Sequence, residues 1–146
     1  MRIFKMLVIT GAIFAFTATA ALAGSPHFIG TPTATVSGNS LNISASVAGL
    51  GNTVDHVDFT LTGDVTVDSR CYTKSGNKPQ AANKHEVLAV DQSGSFPVRN
   101  GRTNVSFTVT PLSTLDCPKG QVTVIESVTY DLTLAGEGLT WEFISP

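Results

Sequence analysis

The fold class is decided by residues 37–52, which read SGNSLNISASVAGLGN. Apolar and polar or small side chains alternate one by one here, with Leu41, Ile43, Ala45 and Val47 set against Asn42, Ser44, Ser46 and Ala48. Because successive side chains of a strand point to opposite faces, this period of two predicts a strand with one buried face. Gly38 is able to take the positive φ of a type II′ turn, so residues 37–40 predict a tight turn into that strand.

The same alternation recurs along the rest of the chain, at Val57/Phe59/Leu61, Val65/Val67, Val105/Phe107/Val109, Val128/Tyr130/Leu132/Leu134 and Leu139/Trp141/Phe143. Turn residues separate these runs at 49–52 and 135–138. The strongest hairpin signal is Arg99-Asn100-Gly101-Arg102, since Asn-Gly suits both central positions of a type I′ turn. No window from residue 24 onward has apolar residues at helical spacing. The sequence therefore predicts an all-β antiparallel sandwich or barrel.

The N-terminal segment has the pattern of a secretory signal peptide. Arg2 and Lys5 are followed by an apolar run from Met6 to Phe16 and by small residues ending in Ala21-Leu22-Ala23. This run is shorter than the roughly 20 apolar residues that cross a bilayer, so cleavage before Gly24 is the prediction. We expect residues 1–23 to be a signal peptide, residues 24–146 to form one β-sandwich domain, and the mature protein to be secreted, in the extracellular space or periplasm, without a membrane span.

The number and distribution of charged residues limit the classes of partner that the protein could bind. Only 14% of the 146 residues are charged, against roughly 25% in an average soluble domain. Without Arg2 and Lys5, seven Lys and Arg remain against eleven Asp and Glu, a net charge of −4 that excludes a uniformly basic nucleic-acid binder. All seven cations lie between Arg70 and Lys119. They predict either a cationic surface that attracts a partner or cross-strand ion pairs with the acidic flanks.

Cys71 and Cys117 are the only cysteines. In an oxidising compartment they predict one disulfide, worth about 4 kcal/mol in the chain-entropy model. Two polar stretches, Tyr72–Lys84 and Pro111–Gly120, interrupt the strand pattern and are predicted as the longest loops, tied together by that bond at one end of the sandwich. Loops on a rigid β scaffold often carry binding. The predicted partner-binding residues at this end are Tyr72, Lys74, Lys78, Lys84 and Lys119; alternatively, the bond only limits the entropy of the loops.

A resemblance accompanies these residues. Pro26-His27-Phe28, Ser40–Ser44, Val47–Asn52 and Cys117-Pro118-Lys119-Gly120 resemble a group of small exported bacterial proteins of unassigned function. More loosely, the chain is similar to immunoglobulin-like sandwiches, which implies seven to nine strands. It departs from antibody-type domains because no Trp lies between the two cysteines; Trp141 follows both. Its alternation with Leu139 and Phe143 favours a core position over a sugar-binding platform with Tyr72 and Tyr130.

The sequence predicts no catalytic residues, metal site or cofactor. Ser93-Gly94-Ser95 is not a nucleophile elbow, and His27, His56 and His85, spaced 29 residues apart, have unlike surroundings; a metal role for them is left open. Asp55, Asp58, Asp64 and Asp68 lack a calcium-loop pattern. The sequons at Asn42 and Asn104 are expected at outward strand positions.

These observations favour a non-enzymatic binding module that recognises an unidentified protein or glycan at the cell surface. The alternative is a structural protein that self-associates through edge strands. A small exported hydrolase or protease inhibitor is a third possibility.

Overall fold

A computed structural model describes residues 24–146; the predicted signal peptide lies outside the described residues. The alternating segments form seven strands within this range: β1 (His27–Ser37), β2 (Ser40–Ala48), β3 (His56–Thr73), β4 (Pro79–Pro97), β5 (Thr103–Val109), β6 (Gln121–Gly136) and β7 (Leu139–Ile144). The described part of the chain contains no helix, and so none that is long and apolar enough to span a membrane.

Two antiparallel sheets make up the sandwich. The smaller sheet has the order β1-β2-β5 and the larger the order β4-β3-β6-β7. Hairpins join β1 to β2, β3 to β4 and β6 to β7, whereas the chain changes sheet between β2 and β3, between β4 and β5, and between β5 and β6. This is an immunoglobulin-like order in which the fourth strand lies beside the third instead of joining the sheet of the first, second and fifth strands. The predicted antiparallel sandwich is confirmed.

The core lies between the sheets and is built from the alternating residues. Leu41, Ile43 and Val47 of β2 are at most 1% exposed, and they face a fully buried row on β3 formed by Phe59, Leu61, Val65 and Val67. Trp141 is half-buried against this core, with its ring edge-on to Phe28 at 5.9 Å between centroids. The period of two therefore identified the buried face correctly.

The predicted loop at Tyr72–Lys84 is wrong. Strand β3 continues to Thr73 and β4 begins at Pro79, so the turn comprises only residues 74–78. Tyr72 and Lys84 lie in paired strands. Residues 81–85 of β4 are all exposed, because no second sheet covers them, so this part of the strand has no alternation to recognise.

The Asn-Gly turn forms as predicted, but the strands on its two sides do not pair. Asn100 and Gly101 have φ of 52° and 70°, and Arg99 bridges Arg102 across the turn. Beyond this bridge β4 and β5 enter different sheets. The residues of the turn determine that the chain reverses direction here. The sheet that each strand joins is determined instead by burial of its apolar face against the core.

The larger sheet is longer than the smaller one at one end. β3 and β4 have 18 and 19 residues, against 9 in β2 and 7 in β5. Where the smaller sheet ends, at the β1–β2 turn, residues 110–117 continue over the inner face of the larger sheet; we call this segment the cover loop. The Leu112 amide donates to the Asn39 carbonyl at 3.0 Å, which joins the cover loop to that turn.

Candidate functional site

The disulfide fastens the cover loop to a strand. Cys71 is fully buried on the inner face of β3, and its partner Cys117 ends the cover loop, with 5.6 Å between their Cα atoms. The predicted bond is confirmed. The prediction that it joins two long loops is wrong, because Cys71 lies within β3.

Packing and hydrogen bonds attach the rest of the cover loop. Leu112 is fully buried in the core, and the Ser113 hydroxyl lies 2.6 Å from the hydroxyl of Ser69, a buried polar residue of β3. The Asn39 side chain accepts from the Ser113 amide at 2.7 Å and donates to its carbonyl at 3.1 Å. These contacts fix the backbone of a segment that has no regular secondary structure.

Glu86 of β4 completes the attachment. Its carboxylate accepts from the Thr114 amide at 2.9 Å and from the Thr114 hydroxyl at 2.6 Å. Lys84 forms an ion pair with Glu86 at 3.2 Å and also donates to the Thr114 hydroxyl. Hydrogen bonds from Thr114, with a smaller contribution from Lys84, lower the pKa of Glu86 to about 2. Lys84 was predicted to bind a partner, but its ammonium group is engaged within the protein.

Three other predicted lysines come together at the end of the larger sheet. We call residues 74–78 and 118–120 the tip. The Lys74 amide donates to the Gly120 carbonyl at 3.2 Å, which brings Lys119 beside the β3–β4 turn, and the Thr73 amide donates to the Lys78 carbonyl at 3.0 Å. Lys74, Lys78 and Lys119 are exposed and form no ion pair within residues 24–146. The structure thus brings three of the four lysines predicted at this end next to one another, on two segments joined by a backbone hydrogen bond.

Tyr72, the remaining predicted residue, lies beside the tip on the outer face of β3. Its hydroxyl donates to Glu126 at 2.8 Å, and this hydrogen bond raises the pKa of the phenol. Glu126 also lies 3.6 Å from the Arg70 guanidinium. The two contacts hold Tyr72 against the sheet instead of projecting it into solvent.

A polar cluster further along this outer face was missed by sequence reasoning. His85 Nδ1 lies 2.6 Å from Asp68 Oδ1, and the Ser127 hydroxyl donates to Asp68 Oδ2 at 2.8 Å. The His85 contact and then the Ser127 bond lower the pKa of Asp68. Asp68 stands between the other two, whereas in serine hydrolases the His lies between Ser and acid. Asp68 is paired with His85 on β4 and with Ser127 on β6. These contacts depend on the register between the strands, which the sequence does not show.

Among the seven cations of residues 24–146, only Arg70 forms the predicted cross-strand ion pair with an acidic flank, through Glu126, since Lys84 pairs with Glu86 of its own strand. Arg70 and Lys84 form ion pairs, while the lysines of the tip, together with Arg99 and Arg102 at the other end of β4, form none within residues 24–146. Among these same residues, no three His, Cys, Asp or Glu are grouped to hold a metal ion. Asn42 and Asn104, the two sequon residues, lie exposed on β2 and β5 as expected.

No family model matches the chain. No curated protein matches it significantly.

Proposed function

We propose that the protein is an exported, non-enzymatic module that binds an anionic protein or glycan at the cell surface through the tip. The observation that carries the proposal is the meeting of three exposed lysines without ion pairs on two segments that are hydrogen-bonded to each other. Acidic groups of a partner would provide the counter-charges that the described part of the chain does not.

The attachment of both segments of the tip to the sandwich supports this use. One of its two segments is a five-residue turn between long paired strands, and the other directly follows Cys117. A preorganised surface loses less conformational entropy on binding than a mobile loop does. Ordering each lysine side chain still has a cost, so the affinity would depend on several weak charged contacts formed together.

The tip is positively charged, whereas residues 24–146 as a whole are negatively charged. An acidic partner should therefore bind at the tip and not elsewhere on the surface. Residues 24–146 carry a net charge of −4, so a strongly acidic partner is repelled by most of the surface and attracted at the cationic positions. Exposed charges are screened over about 10 Å at 0.1 M salt. Binding through the tip should therefore weaken as salt is raised.

The test is capture of partners from the native secreted or envelope fraction, using the purified mature protein as bait. The triple variant Lys74→Ala, Lys78→Ala and Lys119→Ala should lose the partner, while the matched control Ser75→Ala and Asn77→Ala, which changes exposed neutral residues of the same turn, should retain it. Each captured component is then titrated against the three proteins at about 50 and about 200 mM salt. If the triple variant bound every captured component as tightly as the unaltered protein, the tip would not be the binding site.

Self-association is the second candidate, and one observation favours it. β4 is the outer strand of the larger sheet, and within residues 24–146 its 19 residues pair only with β3. An unpaired strand edge is a template for another strand. Light scattering at increasing concentration would detect assembly, and an Ala82→Pro variant, at the register shift where β4 is not paired residue by residue with β3, should abolish it. A mass that stays monomeric at all concentrations would contradict this function.

Export is part of the proposal. The disulfide and the absence of a membrane-spanning helix in residues 24–146 are compatible with an extracellular or periplasmic location. Mass spectrometry of the protein recovered outside the cytoplasm should give a chain that begins at Gly24 and lacks free thiols. Recovery of the chain only from the cytoplasm, starting at Met1, would contradict it.

A further inference from the structure

A second cationic site lies at the end of the sandwich opposite the tip. A groove of about 580 Å³ runs between the Arg99–Arg102 turn and the outer face of the smaller sheet. Both arginines line it, together with the apolar side chains of Ile29 and Pro97 and the polar ones of Ser46 and Asn104. Its size is within the roughly 300–1,000 Å³ typical of small-molecule sites.

The turn holds the two arginines side by side. The Arg99 amide donates to the Arg102 carbonyl at 2.8 Å, and the Arg102 amide donates to the Arg99 carbonyl at 3.0 Å. Residues directly opposite in such a bridge have side chains on the same face, with Cβ atoms about 4.5–5.5 Å apart. The two guanidinium groups therefore start from neighbouring positions on one side of the turn.

Contacts with the β2–β3 connection keep the turn in place. Gly101 is buried, its carbonyl accepts from the Leu50 amide at 3.1 Å, and the Val98 amide donates to the Asp55 carbonyl at 2.8 Å. A Cβ atom at Gly101 would lie 3.3 Å from the Gly51 carbonyl oxygen, which shows how closely the two segments approach. The position of the arginine pair is thus fixed by the fold before any ligand arrives.

Nothing in the groove balances the two positive charges. Like charges directly opposite each other on paired strands are destabilising, yet Arg99 and Arg102 form no ion pair within residues 24–146, and no Asp or Glu lines the groove. The Ser46 hydroxyl donates to Asn104 Oδ1 at 2.9 Å, which orients the amide so that its Nδ2 is a further donor at this surface. The groove thus contains several hydrogen-bond donors, two of them positively charged, and no negatively charged acceptor among its lining residues.

We propose that this groove binds a tetrahedral oxyanion, the phosphate or sulfate ester of a sugar. One guanidinium presents a planar fork that a single carboxylate saturates, whereas an anion with three terminal oxygens accepts from two forks at once. Ile29 and Pro97 offer apolar surface to a sugar ring, and Ser46 and Asn104 offer polar groups to its hydroxyls. The groove shares no residue with the tip, so oxyanion binding in the groove can be tested independently of partner binding at the tip.

The test is titration of the mature protein with glucose 6-phosphate, glucose 6-sulfate, glucuronate and glucose, followed by amide chemical shifts. We expect both esters to bind at least tenfold more tightly than glucuronate, with glucose showing no saturable binding, and the shifts to centre on residues 97–104. The two ester arms show which oxyanion is preferred.

Variants separate this site from the tip. Arg99→Gln with Arg102→Gln keeps long polar side chains on the same turn and should weaken ester binding at least tenfold, while the triple lysine variant of the tip should bind the esters as the unaltered protein does. Unchanged ester binding by the Gln variant, or equal binding of glucuronate and glucose 6-phosphate, would overturn the assignment. Shifts centred on the tip would overturn it as well.

Discussion

Glu86 attaches the cover loop to the larger sheet through one side chain. The Glu86 side chain is 11% exposed, its carboxylate accepts two hydrogen bonds from Thr114, and Lys84 neutralises its charge. Because these contacts favour the ionised form, they stabilise the folded protein only while Glu86 is ionised. The pKa of about 2 in the folded state, against 4.5 for the free group, makes this contribution depend on pH.

The substitution Glu86→Gln should lower stability at neutral pH and remove the part of its acid dependence that Glu86 contributes. The contribution of the ionised carboxylate is complete above pH 4.5 and is lost as the pH falls towards about 2. Each pKa unit corresponds to about 1.4 kcal/mol, so the effect is at most about 3 kcal/mol, and solvent screening reduces it. Urea unfolding at a series of pH values should show the difference between the two proteins narrowing below pH 4.5.

Glu142→Gln is the matched control, since Glu142 is exposed on β7 and forms no ion pair within residues 24–146. Its difference from the unaltered protein reports the general effect of removing one negative charge. A constant difference for Glu86→Gln across the whole pH series would show that the carboxylate does not hold the cover loop.

Gly63 and Gly76 show two different reasons why a position in the chain favours glycine. Gly63 lies within β3 with φ of 132°, and a Cβ there would stand 2.1 Å from the Asp131 carbonyl oxygen of β6. Gly76 lies in the tip with φ of 73° and has open space around it. A side chain at Gly63 must therefore displace a paired strand, whereas at Gly76 only the backbone conformation opposes it.

We expect Gly63→Ala to lower the free energy of unfolding by about 2–5 kcal/mol, through overpacking added to backbone strain. Gly76→Ala should cost only about 1 kcal/mol, for the conformation alone. Denaturant unfolding of the two variants measures the difference. Equal losses would mean that the approach of β6 to β3 at Gly63 is not tight.

At the scale of elements, the sequence revealed strands where a second sheet covers them. Leu41 to Val47 alternate because one face of β2 is buried, whereas residues 81–85 of β4 are all exposed and so show no pattern. Because turn-forming residues follow Thr73 and no alternation follows them, the sequence predicted a loop of about a dozen residues. The structure has a turn of five residues at this place. The positions of Lys74, Lys78 and Lys119 in non-strand segments were predictable from composition; the contact of Asp68 with His85 was not, because it depends on strand register.

The disulfide and the cover loop act as one element. Cys71 and Cys117 are 46 residues apart, a separation for which chain entropy alone gives about 4 kcal/mol. Leu112, Ser113 and Thr114 attach the same segment without the bond. Loss of the disulfide should therefore act mainly on the unfolded state and leave the native arrangement of the cover loop in place.

The double variant Cys71→Ala and Cys117→Ala should be about 2–4 kcal/mol less stable in urea unfolding and still fold, with the Thr114 amide protected from hydrogen exchange. Reductant should destabilise the unaltered protein and have no effect on the variant, which controls for the two side-chain changes. An unprotected Thr114 amide in the folded variant would show that the disulfide, and not Glu86, holds the cover loop.

At the scale of the whole sandwich, the Lys and Arg residues that form no ion pair within residues 24–146 lie at two ends. The three lysines of the tip precede or adjoin the start of β4, and Arg99 and Arg102 follow its end. A strand of 19 residues at about 3.3 Å each separates the two sites by roughly 60 Å before twist is considered. That distance is several times the screening length of about 8 Å at physiological salt, so neither site should affect the other through charge.

We therefore expect the two sites to be energetically independent. A cycle that combines the triple lysine variant with Arg99→Gln and Arg102→Gln should give coupling below about 0.5 kcal/mol for binding of glucose 6-phosphate and of any partner captured through the tip. The pairing of β3 with β4 along most of their length supports this expectation, because coupling between distant sites requires an element with two arrangements. Titration of all four proteins at one ionic strength measures the coupling. A value above about 1 kcal/mol would mean either that one ligand contacts both ends or that the sandwich has a second conformation, and the dependence of the coupling on ligand length would distinguish these two causes.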